Sequence, residues 1–276
     1  MEHSTVTVML TCFNRRNDTV NCIQSLVQGN PDIDFRFVIT DDHSSDGTAE
    51  ALGTLPYQIT VLEGDGQLFW NGGMRMALQY ALDSVDKTQY YMLVNDDVTF
   101  RYGAIEKMIE RCIACPEEAV IVGATQDKDG NTSYGGVRLL SRHFAKFAIV
   151  EPSQKYEICD TFNGNCVLIP QKIFEQIGNL DPVYRHSMSD YDYGMHIRRE
   201  GFLIYNTAEH VGMCNDNQVS GSWRDASLPR RQRLQKKESP KGLPRRDWYH
   251  FIRKNYGLGS AIYHSLTPYI RIVLGR

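Results

Sequence analysis

No stretch of this 276-residue chain reaches 18 consecutive apolar residues, the length at which a helix begins to span a bilayer. The opening MEHSTVTVML lacks the basic start, apolar centre and cleavage site of a leader, so it is expected to begin the fold itself. The seven cysteines are odd in number and scattered, and Cys112-Ile-Ala-Cys115 has no second CxxC to pair with. A redox pair or half a zinc site would put CxxC at a turn or helix start with partners elsewhere, so buried or half-buried free thiols in a reducing cytoplasm fit best. No GxGxxG follows the first apolar run, and neither GxxxxGK[ST] nor GxSxG occurs. The dinucleotide, P-loop and serine-hydrolase readings fall with them. A phosphate would therefore need another holder, and a divalent cation on carboxylates is the natural replacement.

Net charge is small, but the charges are unevenly placed. The net charge is −3, but residues 224–276 hold 13 Lys/Arg against 3 Asp/Glu, or +10, leaving −13 on the remainder. A basic segment on an acidic body suggests a surface that meets phosphates. It carries no base-reading motif, so nucleic acid is not expected. Its basic residues interleave with Trp248, Tyr249, Phe251, Tyr256, Tyr263 and Tyr269, a composition that suits peripheral contact with an anionic membrane. A homodimer is left open.

What is present is alternation. Apolar, β-branched runs at Thr5–Phe13, Phe35–Asp42, Ile59–Gly64, Tyr90–Asp96 and Ala119–Thr125 read as strands. Between them lie amphipathic segments: one capped by Asp18, a short one after Ser44, then Gly72–Val85 and a run from Gly103. This predicts an α/β fold with a mostly parallel central sheet flanked by helices. The second half is less regular. NCVLIPQKIFEQIG predicts a strand running into a helix, SDYDYGMHIRREG a helix with an acidic first turn, and FLIYNTAEH a strand. The three-proline stretch LPRRQRLQKKESPKGLPRR predicts a mobile loop within a helical or irregular tail. The expected division is a body over 1–223, with a nucleotide half to about 126 and an acceptor half beyond it, and an extension over 224–276.

In such sheets ligands bind beyond the carboxyl ends of the strands. Four polar clusters fall there: Thr11-Cys12-Phe13-Asn14-Arg15, Asp41–Gly47, Gly64–Gly66 with Asn71-Gly72-Gly73, and Asn95-Asp96-Asp97. Each alone reads equally well as a solvated turn; four at one edge read as a site.

In that order and spacing, TCFNR, VITDDHSSDGT, WNGGMRMAL, LVNDDV, NGNCVLIP and SDYDYGMHIRREGF resemble the family-two glycosyltransferases of the GT-A fold. More narrowly, they are similar to the bacterial rhamnosyltransferase-like members of surface-polysaccharide assembly. The resemblance implies a nucleoside-diphosphate sugar donor, with UDP or dTDP as the nucleotide, and a glycan or lipid-linked acceptor at the inner face of the cell membrane. It implies that Thr11, Phe13 and Arg15 border the nucleotide and that Asp41 meets base or ribose. Asn71, Gly72, Gly73 and Arg75 would lie near ribose and diphosphate. Asn95-Asp96-Asp97 stands for the family's DxD triplet. Its first aspartate is Asn95 here, so Asp97 would hold Mg²⁺ or Mn²⁺ and Asp96 would face the sugar or ribose. Asp190 takes the place of the general base, although the glutamate expected before it is Ser189. Asn163 and Gly164 would seat the sugars, His186 and Asp192 would line the acceptor side, and His210 would be a second metal ligand. A nucleotidyltransferase, or a binding protein without turnover, are the rival readings.

Overall fold

The computed structural model describes residues 3–141, 143–215 and 219–275. The first half winds strand and helix alternately: β1 (Ser4–Cys12), α1 (Arg16–Gly29), β2 (Ile33–Asp41), α2 (Thr48–Gly53), β3 (Gln58–Glu63), α3 (Phe69–Asp83), β4 (Tyr90–Val94), the short β5 (Thr99–Phe100), α4 (Ala104–Ala114) and β6 (Ala119–Gln126). Short strands follow: β7 (Thr132–Tyr134), β8 (Gly136–Leu139), β9 (Phe147–Ile149), β10 (Glu157–Ile158) and β11 (Thr161–Phe162). The chain then makes β12 (Cys166–Pro170), α5 (Gln171–Ile177), α6 (Ser189–Arg199), β13 (Leu203–Met213), α7 (Arg230–Glu238), α8 (Arg245–Tyr256) and α9 (Leu258–Val273).

The main sheet runs β10-β13-β6-β12-β4-β1-β2-β3, with β5 on β13 and β7 on β6. β4, β1, β2 and β3 are parallel, as are β6 and β13. β12 is antiparallel to both of its neighbours, β4 and β6. Two antiparallel steps restore direction, so β6 and β13 end at the same edge as β4. A second sheet, β11-β8-β9, lies to one side.

Alternation along the strands explains the two cores. In β1, Val6, Val8 and Leu10 face one cluster and Met9 the other; in β4, Met92 and Val94 oppose Tyr91 and Leu93. Helices α1 and α4 cover the first face, and α3, α5 and α6 the second. Both faces are dry, which is why the strands read as continuous apolar runs rather than alternating ones.

Helix starts differ from the sequence expectation because their caps come from elsewhere in the chain. α1 begins at Arg16, whose N–H is taken by Asp46 Oδ2 at 2.9 Å, and Asp18 falls in its first turn. α3 begins three residues before Gly72. The Asp42 carboxylate, from the end of β2, accepts the N–H groups of Gly66, Leu68 and Phe69. It satisfies donors that a helix start otherwise leaves open.

The expected mobile loop is in part the helix α7. Arg233 and Lys237 are buried there. Lys237 Nζ bonds Glu238 at 2.6 Å and the Leu243 carbonyl at 2.9 Å, and lies 4.1 Å from the centre of the Tyr269 ring. Two of the basic side chains expected to meet phosphates or membrane are thus buried within the tail. Trp248, Phe251, Ile252 and Ala261 form a third cluster with Tyr184. Inside α9, Pro268 has no N–H for the His264 carbonyl, and Trp248 Nε1 donates to that carbonyl at 2.9 Å.

Candidate active site

The carboxyl ends of β1, β2, β4 and β13 meet the starts of α3 and α6 at one edge. Arg15, just past β1, sends Nη1 to Asp96 Oδ1 and Nη2 to Asp97 Oδ2, each at 3.0 Å. Asp96 is buried, and Asp97 keeps 30% of its side chain exposed. Burial pushes the Asp96 carboxyl up to about 7, against the opposing pull of Arg15. Its Oδ2 is buried and has no partner.

Asn95 does a different job. Its Oδ1 accepts from Trp70 Nε1 at 2.9 Å. The Trp70 ring lies over Gly164, where an added Cβ would sit 2.7 Å from Trp70 Cζ2 and 3.4 Å from Asp190 Cβ. The Gly164 N–H donates to Asp190 Oδ2 at 3.1 Å, and the Tyr191 N–H to Oδ1 at 2.8 Å. Burial pushes Asp190 up to about 6, although both N–H groups favour the carboxylate. A chain of contacts thus runs from the β4 triplet through Trp70 and Gly164 to Asp190. A carboxyl poised near 6 is suited to proton transfer near neutral pH.

Neighbouring side chains frame this line. Phe13 is 49% exposed at the lip. Asp41 ends β2, opposite Cys12, and takes the Ser44 N–H at 3.0 Å. Asn163 donates its N–H to the Gly135 carbonyl. His186 Nδ1 accepts the Trp70 N–H at 3.4 Å; burial pushes its pKa down to about 4, leaving that nitrogen free to accept.

Several expected site residues are held by the protein instead. An added Cβ at Gly73 would collide with the Thr11 side chain, so these two residues pack β1 against α3. An added Cβ at Gly72 would lie 3.1 Å from Leu68 Cβ, one turn earlier at the start of α3. Asn71 is buried, gives Nδ2 to the Tyr184 carbonyl at 2.6 Å and to that of Asp181 at 3.1 Å, and accepts from Ser189 Oγ. Arg75 donates to the Leu180 carbonyl. Asp192 is buried against Lys254 Nζ at 2.6 Å and Asn255 Nδ2 at 3.0 Å.

His210 is not brought to Asp97. Its Nε2 contacts Thr132 Oγ1 at 2.8 Å, and its backbone sits opposite Ala124 within β13. The side chain beside Asp97 is Cys214, with Sγ 3.3 Å from Oδ1 and Asn165 Nδ2 donating to the sulfur at 3.4 Å. Burial and Asp97 push the Cys214 thiol well up, so it is protonated and donates. Sequence reasoning missed Cys214 and the link through Trp70. Cys214 was hidden because FLIYNTAEH reads as a strand ending at His210; β13 in fact runs on to Met213, which leaves His210 inside the strand and Cys214 just beyond its end.

A mostly parallel sheet flanked by helices, with an acidic triplet and a helix-start carboxylate at its carboxyl edge, is the GT-A fold. The glycosyl transferase family 2 model matches residues 7–178, more than half of the chain. The chain belongs to that family and is a glycosyltransferase. No curated protein is significantly similar in sequence.

Among solved structures, the mannosyltransferase PcManGT of Pyrobaculum calidifontis, in complex with GDP-Man and Mn²⁺, matches 98% of this chain and 73% of its own, at 13% identity and TM-score 0.58. Residues 1–349 of S. aureus TarS, with UDP-GlcNAc, match 98% and 81%, at 10% identity and TM-score 0.60. GalNAc-T7, with UDP, GalNAc and Mn²⁺, matches 79% of this chain but 44% of its own, at 11% identity and TM-score 0.58. At these identities the likeness is one of fold.

Proposed function

We propose that this protein transfers a sugar, with inversion, from a nucleoside-diphosphate donor to a glycan or lipid-linked acceptor, with Asp190 as general base. The observation that carries this reading is the contact chain Asn95–Trp70–Gly164–Asp190. It holds a carboxyl of raised pKa across the cleft from the acidic triplet.

The donor's nucleotide would lie along the ends of β1 and β2, by Phe13 and Asp41. Asp190 would take the acceptor hydroxyl's proton as that oxygen attacks the anomeric carbon, and the nucleoside diphosphate would leave on the opposite face. Asn95 and Gly164 keep Asp190 and the triplet at a fixed separation, so the acceptor need not organise them.

The triplet suits Mg²⁺ or Mn²⁺. Asp97 and the unpartnered Asp96 Oδ2 are hard oxygen donors. Among the described residues no three His, Cys, Asp or Glu converge on a metal, so donor phosphates would complete the shell. When bound, the ion would offset charge on the leaving diphosphate. Arg15 supplies one positive charge to the same carboxylates and would share that role. A dTDP-sugar, the donor suggested by the rhamnosyltransferase likeness, is the first to try beside UDP-sugars.

The test is a panel of nucleoside diphosphates with Mn²⁺, read by calorimetry, followed by turnover with the matching sugars. Asp190→Asn should bind nucleotide like the parent and lose transfer, while Asp97→Ala should lose metal-dependent binding. Turnover by Asp190→Asn at the parental rate would remove the base assignment.

A further inference from the structure

The helix α9 is apolar on two faces, and only one of them is used. Ala261, Ser265, Pro268 and Ile272 are buried against the body. On the other side Leu258, Ile262, Leu266 and Ile270 recur every four residues, each 52–58% exposed, and Leu274 continues the row at 62%. Side chains four apart stack along one face of a helix. The loop between β8 and β9 widens this strip: Phe144, 48% exposed, packs edge-on against Tyr263 with ring centres 6.0 Å apart. Scattered exposed apolar residues need no explanation, but a continuous row of them does.

The sequence pointed to Trp248 and Phe251 as interfacial anchors. Both are buried in the third cluster. The exposed apolar material is aliphatic and lies one helix further on.

Charge decides the occupant. Residues 248–276 contain no Asp or Glu, while Arg271 of α9 and Arg253 near the end of α8 are exposed. The surrounding segment, residues 224–276, carries +10. A second copy docked about a two-fold axis would bring the same basic surface against itself. An anionic bilayer meets both features at once, aliphatic side chains entering the acyl boundary and arginines meeting headgroups.

We propose that α9 is a membrane-docking helix that lies along an anionic bilayer surface with its Leu258–Leu274 row immersed. It does not cross. At 16 residues it is about 24 Å long, short of the roughly 30 Å hydrocarbon core, and its other face is packed. No helix among the described residues is long and apolar enough to span. The docking helix belongs to the acceptor side. The hairpin beneath it, β8–β9, pairs with β11, which leads directly into Asn163 and Gly164. The proposal stands on this surface alone and not on the transferase chemistry.

The test uses the full chain with vesicles containing phosphatidylglycerol and with neutral phosphatidylcholine vesicles, read by co-sedimentation. The parent should bind the anionic vesicles at least about tenfold more tightly, and added salt should weaken that binding. Ile262→Glu with Leu266→Glu should reduce partitioning at least about tenfold. Ile262→Ala with Leu266→Ala should give a smaller loss, and both variants should keep the parental circular dichroism spectrum. Three results would overturn the proposal. One is a parent that stays in the supernatant with anionic vesicles, and another is a glutamate variant that sediments like the parent. The third is a parental dimer in light scattering that the glutamate variant abolishes.

Discussion

The side of the candidate site proposed to hold nucleotide and the side proposed to hold acceptor are built by different means. On the nucleotide side, Arg15, Asp41 and Asn95–Asp97 follow directly on parallel strands. Backbone direction alone delivers them to one edge. On the acceptor side, Asp190 is placed by residues far away in the chain. Asn71 reaches 113 residues to Tyr184 and 118 to Ser189, and Asp192 is held by Lys254, 62 residues on. The first construction tolerates change at its polar tips. The second spends buried polar side chains on position, so the acceptor side should be the more fragile.

Asp190→Asn should lower kcat by about 10²–10⁴-fold while nucleotide affinity stays within about twofold. As the proposed base, Asp190 would work deprotonated, and burial raises its pKa to about 6. Transfer should therefore be level above that pH and fall about tenfold per pH unit below it, in a pH–rate profile.

Asp192→Leu should come next, measured by denaturant unfolding. It removes the buried partner of Lys254, and a loss of about 2–4 kcal/mol is expected, with lower kcat following only from the displaced α6. An equal loss from Asp97→Ala, on the nucleotide side, would erase the proposed difference between the halves.

Gly164→Ala should cost about 1–3 kcal/mol through overpacking against Trp70. Its kcat should fall more than its donor affinity, because the methyl group separates the triplet from Asp190. The smallest effect belongs to His210→Ala. The ring bonds Thr132 inside β13, so metal-dependent nucleotide binding should stay within about twofold, by titration with Mn²⁺. A tenfold loss would return His210 to the site.

The legibility of the molecule follows the same division. The parallel strands could be read because both faces of the sheet are covered, which forces long apolar runs such as TVTVML and YYMLV. The candidate triplet could be read because it sits just past one of them. Asn71 and Arg75 could be placed in a motif but not given their contacts, since their partners lie more than 100 residues away. Position 192 read as a cleft carboxylate because nothing local reveals Lys254. The α7 segment read as a loop because its pattern is almost wholly basic. Only the packed structure buries Arg233 and Lys237.

The antiparallel strand β12 carries a further consequence, for synthesis rather than catalysis. It is the piece that joins β6 to β4. A chain elongating from its N-terminus completes β6 well before residues 166–170 exist, so through that interval β4 presents an open edge and β6 has no place in the sheet. At about 5–20 residues per second the exposure lasts several seconds. An unpaired apolar edge of this kind is the usual template for wrong pairing. Slow codons, or a truncation falling between residues 126 and 166, would lengthen it and should show first as aggregation of nascent chains.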